Sequence, residues 1–105
     1  MKLQLQFDPA AVRELRSARD WYNKANPGVG DDFVESFWRL TDRLLQSPAS
    51  SPRRPTPGSN REIRQATLRR FPYLVVYEVR DDALLIIAVA HGRRRPGYWR
   101  ERVTK

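Results

Sequence analysis

Apolar and polar positions alternate from the start of the chain: Leu3, Leu5 and Phe7 are separated by Gln4 and Gln6, which predicts a short half-buried strand. Asp8-Pro9 then supplies a side-chain cap and a first-turn proline. Beyond it Ala11, Leu15, Ala18 and Tyr22 recur at helical spacing, and Val12, Trp21 and Ala25 widen the stripe. Asn26-Pro27-Gly28 ends this helix, because a residue before proline avoids the helical region. Gly30-Asp31 starts a second helix with Phe33, Phe37, Leu40 and Leu44 on one stripe, Val34, Trp38 and Leu45 beside it, and Pro48 at its end. So short a link packs the two helices as an antiparallel hairpin. Helical spacing accounts for their aromatics as core.

Residues 47–60, SPASSPRRPTPGSN, hold too many prolines for a helix or central strand and read as an exposed, semi-extended loop. A weak alternation over 61–70 predicts a strand with Ile63 on one face and Ala66 and Leu68 on the other. After the Phe71-Pro72 bend, Tyr73, Val75, Tyr77 and Val79 alternate with Leu74, Val76, Glu78 and Arg80, and Asp81-Asp82 makes a tight turn. Residues 83–90 are apolar throughout, which predicts a central strand covered on both faces. Period-two spacing puts Leu85, Ile87 and Val89 on one face and Leu84 and Ile86 on the other. The helices cover one face; the short tail or a partner must cover the second. The order is β-α-α-β-β-β, an α+β class in a single domain over residues 1–105.

Charge then changes the picture. The net charge is +8, and it is lopsided: residues 1–60 carry 9 basic and 7 acidic side chains, residues 61–105 carry 11 and 5. Such a field favours nucleic acid or an acidic protein partner. Arginine outnumbers lysine 17 to 3, which suits phosphate and carboxylate forks. No cysteine is present and His91 is the one histidine, so disulfides, thiolate nucleophiles and multi-histidine metal sites are excluded. No cofactor motif and no metal site is expected. No run approaches a membrane span and the first residues lack a signal-peptide core, so a cytoplasmic protein without a membrane partner is expected.

The candidate working end is the exit of the apolar hairpin, His91, Arg93, Arg94, Arg95, Tyr98 and Trp99. One chemistry open to such residues is metal-free cleavage of RNA, whose 2′-hydroxyl is the nucleophile. His91 or Tyr98 would exchange protons while the arginines hold the phosphate. In the alternative arrangement His91 caps the strand, Tyr98 and Trp99 pack on the sheet, and the arginines are solvated or meet a partner's carboxylates. Spacing alone favours that alternative.

Three segments in this order, FDPAAVRELRSARDWY before PGVGDDF, then FPYLVVYEV, then AVAHGRRRPGYWRER, resemble the RelE/ParE superfamily, toxins of type II toxin–antitoxin modules, over nearly the whole chain. The resemblance implies a helical hairpin on an antiparallel sheet and a cognate antitoxin in a hetero-oligomeric complex. It also implies one of two targets. RelE-like members cleave mRNA on the ribosome with cationic residues and a C-terminal tyrosine; ParE-like members poison DNA gyrase. Arg95 and Tyr98 fall where the RelE-like arginine and tyrosine would stand, which makes His91, Arg95 and Tyr98 the catalytic set of a ribonuclease. Gln65, Thr67 and Leu74 occupy the positions of three further RelE-like cations, with Arg64 and Arg69 nearby. The strand exit is closer to the ParE-like pattern, which implies a gyrase-directed toxin with Arg93, Arg94, Arg95, Tyr98 and Trp99 as its target-binding surface.

Overall fold

Asp8 and Pro9 begin the helical layer as their types dictate: the Asp8 carboxylate accepts the Ala10 N–H at 2.8 Å, and Pro9 occupies the first turn, where its missing N–H costs nothing. The computed structural model describes residues 3–54, 56 and 60–103. In chain order they form strand β1 (Gln4–Phe7), helix α1 (Pro9–Ala25), helix α2 (Val29–Gln46), a 3₁₀ turn at Pro48–Ser50, strands β2 (Ile63–Thr67), β3 (Tyr73–Arg80) and β4 (Ala83–His91), and a 3₁₀ turn at Tyr98–Arg102.

The helices approach closely at Gly30. A Cβ there would lie 2.1 Å from the Arg19 carbonyl oxygen, so only glycine lets the start of α2 lie against α1. Gly28, at the N-cap of α2, offers no side chain to cap it. Asn23 of α1 does so across the hairpin, its Oδ1 accepting from the Gly28 and Gly30 N–H groups at 3.2 and 2.7 Å. Asp31 and Asp32 add favourable charge in the first turn. Phe33, Phe37, Leu40 and Leu44 are all buried, as their spacing predicts. Trp21 departs from that reading. It is 65% exposed, because the α1 stripe that meets the sheet is narrower than the apolar residues suggest.

The four strands order as β1-β4-β3-β2. The three C-terminal strands alternate in direction, but β1 runs parallel to β4, so the sheet is mixed rather than antiparallel. β4 is central, as its unbroken apolar run predicts. Its two faces do not follow strict alternation. Tyr77 pairs with Ile86 and Val76 with Ala88, which leaves Ile87 as the extra residue of a β-bulge. The bulge carries Val89 to the helical side with Leu84 and Ile86, while Leu85, Ile87 and Ala88 go to the other face. The period-two grouping of Val89 with Leu85 and Ile87 is thereby corrected.

The second face is covered by the tail. Trp99 and Val103 pack on Ile63, Val76, Ile87 and Ala88. A buried ion pair ties the tail down: Arg61 grips Glu78, with an Nε contact at 2.9 Å, and its Nη1 donates to the Val103 carbonyl at 3.1 Å. The described part of the proline-rich loop is paired as well as extended at residues 52–54. Arg54 N–H donates to the Ile63 carbonyl and Gln65 N–H to the Pro52 carbonyl, so the loop screens the free edge of β2. Residues 55 and 57–59 of that loop lie outside the described residues.

Gly30→Ala is expected to lower the unfolding free energy by about 1–3 kcal/mol, since the methyl group must push the two helices apart. An unchanged urea midpoint would mean that the hairpin tolerates the separation.

Candidate functional site

β1 is short, and this sets the chemistry of the site. Its ladder with β4 stops when Asp8 N–H donates to the Ile86 carbonyl. Beyond it, the Ile87 carbonyl and the Val89 N–H face no strand. Two side chains take the place of one. The Glu14 carboxylate of α1 accepts the Val89 N–H at 3.0 Å, and Arg102 of the tail donates to the Ile87 carbonyl at 2.9 Å. The pair also bond each other in a fork, Nη1 to Oε1 at 2.9 Å and Nη2 to Oε2 at 3.0 Å. Tyr98 Oη donates to Glu14 Oε2 at 2.5 Å. One carboxylate therefore takes four hydrogen bonds and ties a helix, a strand and the tail together.

Tyr98 is held further by two guanidinium groups over its ring, Arg94 at 3.9 Å and Arg102 at 5.2 Å from the centroid. Burial pushes its phenol well above the usual tyrosine range. The hydrogen bond to Glu14 and that carboxylate's negative charge push the same way, against the two arginines. Arg102 is held more firmly protonated, first by its bond to Glu14.

This clasp forms the floor of an open groove of about 710 Å³ between α1 and the end of β4, walled by Arg13, Trp21, Tyr22, Tyr73, His91 and Arg94. Burial raises the pKa of the Tyr22 and Tyr73 phenols, so the wall is aromatic and uncharged with a basic rim. His91 sits edge-on to Tyr73, and its Nδ1 accepts the Arg93 N–H at 3.0 Å, which leaves Nε2 to carry the proton of the neutral ring.

Most of the residues predicted to act together do meet. His91, Arg94, Arg95, Tyr98 and Trp99 border a smaller depression of about 220 Å³, with Arg54, Gln65, Leu74 and Ala90; His91, Arg94 and Tyr98 also line the groove, and Arg93 lines neither. Trp99 was expected at a target surface, but it is 4% exposed and belongs to the second core, because the apolar face of β4 needs a cover. Thr67 stands beside Leu74 in register. Arg64 points away from that depression and spends its guanidinium on the Ser51 carbonyl at 2.7 Å, and Arg69 lies against α2. Glu14 and Arg102 were missed. The available signal was a glutamate at position 14, on the stripe drawn by Ala11, Leu15 and Ala18. Among the described residues no group of three metal-ligating side chains forms.

Glu14→Ala is expected to cost on the order of 3 kcal/mol, the lower end for a buried pair broken from one side, since it orphans Arg102, Tyr98 and the Val89 N–H. Denaturant unfolding compared with Arg102→Ala and the double variant checks this; additive losses would show that the two do not act as a unit. Tyr98 also makes stability depend on alkali. Its folded-state pKa lies above that of the unfolded chain, so its contribution is intact below about pH 10 and is lost as the pH rises further. Tyr98→Phe is expected to flatten that alkaline decline.

The fold and the sequence agree on what the chain resembles. Its structure is similar to that of the chromosomal ParDE toxin–antitoxin system from P. aeruginosa, with a TM-score of 0.70 at 22% identity over 86% of this chain and 96% of that one. It is also similar to a doubly substituted E. coli toxin RelE in the free state, with a TM-score of 0.63 at 22% identity over 93% of this chain and 92% of that one. No curated protein sequence matches the chain significantly. The family described as ParE toxin of type II toxin-antitoxin system, parDE, matches residues 5–96, and with most of its length so covered the chain belongs to that family of the RelE/ParE superfamily.

Proposed function

We propose that this chain, one domain over residues 1–105, is the toxin half of a type II toxin–antitoxin module acting in the cytoplasm. In this reading a cognate antitoxin neutralises it in a hetero-oligomeric complex, and its target is DNA gyrase rather than the ribosome. The observation that carries the choice is the state of Tyr98. A ribonuclease of the RelE type needs a C-terminal tyrosine free to move protons. Here the phenol donates its proton to a hydrogen bond with Glu14 inside the clasp, and burial raises its pKa above the ordinary tyrosine value. Gln65 and Leu74, two of the positions where RelE-like cations are expected, line the smaller depression, whose arginines are Arg54, Arg94 and Arg95. Each preorganised charge missing from such a site costs about 10²–10³ in rate, and three are missing. No cofactor enters this reading, and among the described residues no helix is long and apolar enough to cross a membrane.

The aromatic wall and basic rim of the groove suit an amphipathic acidic segment, the character expected of an antitoxin's toxin-binding stretch. The P. aeruginosa structure, described as a toxin–antitoxin system, supports a partner of this kind. The second reading, a ribosome-dependent mRNA interferase using His91, Arg95 and Tyr98, rests on Arg95 standing beside the depression and on the RelE-like fold.

Induced expression of the chain alone, with parallel pulse labels for DNA and protein synthesis, separates the two. Replication is expected to stop first while translation continues, supercoiling by purified gyrase is expected to fall, and Tyr98→Phe is expected to remain toxic. A prompt arrest of translation with cut transcripts, abolished by Tyr98→Phe or Arg95→Ala, would return the ribonuclease to first place.

A further inference from the structure

Two basic loops leave the same end of the sheet and are tied together. Between β2 and β3 the chain turns through residues 68–72, which include Arg69 and Arg70; after β4 it leaves through residues 91–95. Tyr73 stands opposite His91 in register, and the Gly92 N–H donates to the Pro72 carbonyl at 2.7 Å. The other end of the β3–β4 pair is turned by Asp81 and Asp82. Five of the eleven basic residues of the C-terminal half, Arg69, Arg70, Arg93, Arg94 and Arg95, are thus gathered at one end of the sheet.

The β2–β3 turn touches the groove only through Pro72. It meets α2, where Arg39, Arg43, Arg69 and Arg70 line a cavity of about 460 Å³ with Asp32 and Glu35. Arg39 matches Glu35 at 2.6 Å and Arg70 approaches Asp32 at 3.7 Å. Among the described residues no carboxylate is paired with Arg43 or Arg69. The turn is held in place: Ser36 Oγ donates to the Arg69 carbonyl at 3.2 Å, and the Arg70 guanidinium lies 5.2 Å from the centroid of the Phe71 ring. Arg70 has a φ of 72°, in the left-handed region that side chains other than those of Asn and Asp rarely enter, yet its side chain is 66% exposed. A strained backbone so held in place and presenting a charge outward is compatible with function.

We infer that this face, Arg39, Arg43, Arg69 and Arg70, is a contact surface for the phosphate backbone of double-stranded DNA, an inference that rests on the gyrase reading and names the nucleic acid in that encounter. Guanidinium forks match phosphate oxygens, and backbone contacts need no sequence code. The cavity lining contains no apolar side chain, whereas a protein partner would require an apolar centre. Phe71 is 7% exposed, so the turn offers no stacking platform of the kind that single strands use.

The test is fluorescence anisotropy of a short labelled DNA duplex titrated with the full chain across a range of salt. Binding is expected to weaken with salt. Arg43→Ala and Arg69→Ala, each on an exposed residue and read separately, are each expected to make the log–log slope less negative by about 0.9. Arg70→Gly, which relieves the left-handed strain, is expected to do the same without lowering stability. Arg80→Ala at the far end of the sheet should leave the slope unchanged. Unchanged slopes in all three arginine variants, no salt-dependent duplex binding, or tighter binding to single-stranded RNA of equal phosphate number would overturn the inference. Gyrase supercoiling is measured in parallel. Inhibited gyrase with unchanged slopes removes the DNA surface and leaves the target reading standing. Unaffected gyrase with the expected slope changes does the reverse.

Discussion

The structure depends on how the bare edge of β4 is closed. β1 pairs with only the first half of that strand, and an unpaired carbonyl and N–H beyond it would each cost free energy if shielded from water without a partner. Glu14 and Arg102 supply the acceptor and the donor that a longer β1 would have supplied. A charged pair does this better than two neutral groups, because the carboxylate has lone pairs left for Tyr98 and the guanidinium has N–H groups left for the carboxylate. A strand would have ended at the edge; the pair also recruits the tail. Residues 84 and 88 positions apart in sequence are thereby joined at one atom group.

From that clasp the two cores follow. The tail, once fixed at Tyr98 and Arg102, lays Trp99 and Val103 over the face of the sheet that the helices do not reach, and Arg61 with Glu78 secures its far end. The bulge at Ile87 serves both layers. It turns Ile87 and Ala88 to the tail and Val89 to the helices. The groove is what remains between α1 and the tail after the clasp is made. Its rim arginine, Arg94, is positioned by the same Tyr98 ring that the clasp immobilises.

The exit motif HGRRRPGYW was legible as a site of concentrated charge, but not as a geometry. Adjacent residues in a tight turn point in different directions: Arg94 borders both the groove and the smaller depression, Arg95 the depression alone, and Arg93 neither. Trp99 reads in sequence as a candidate recognition residue because it follows them, yet its neighbours in space are apolar. Trp21 errs the other way. It sits at helical spacing beside a core stripe and is solvent-facing in the groove, since spacing gives the direction of a side chain but not the extent of the surface that meets it.

The amino-acid sequence by itself determined the elements and most of the faces they bury. Asp8-Pro9, Asn26-Pro27 and Pro48 set helix ends through local sterics; the stripe of Phe33, Phe37, Leu40 and Leu44 set the core face of α2; alternation from Tyr73 to Val79 set the helical side of β3. These are effects of near neighbours, which periodicity records. The tertiary structure alone decided the parallel pairing of β1, the bulge, the Glu14–Tyr98–Arg102 clasp and the meeting of Arg69 and Arg70 with α2. Each of these joins groups far apart in the chain, and a backbone hydrogen bond or an ion pair between such groups leaves no period in the sequence that encodes it.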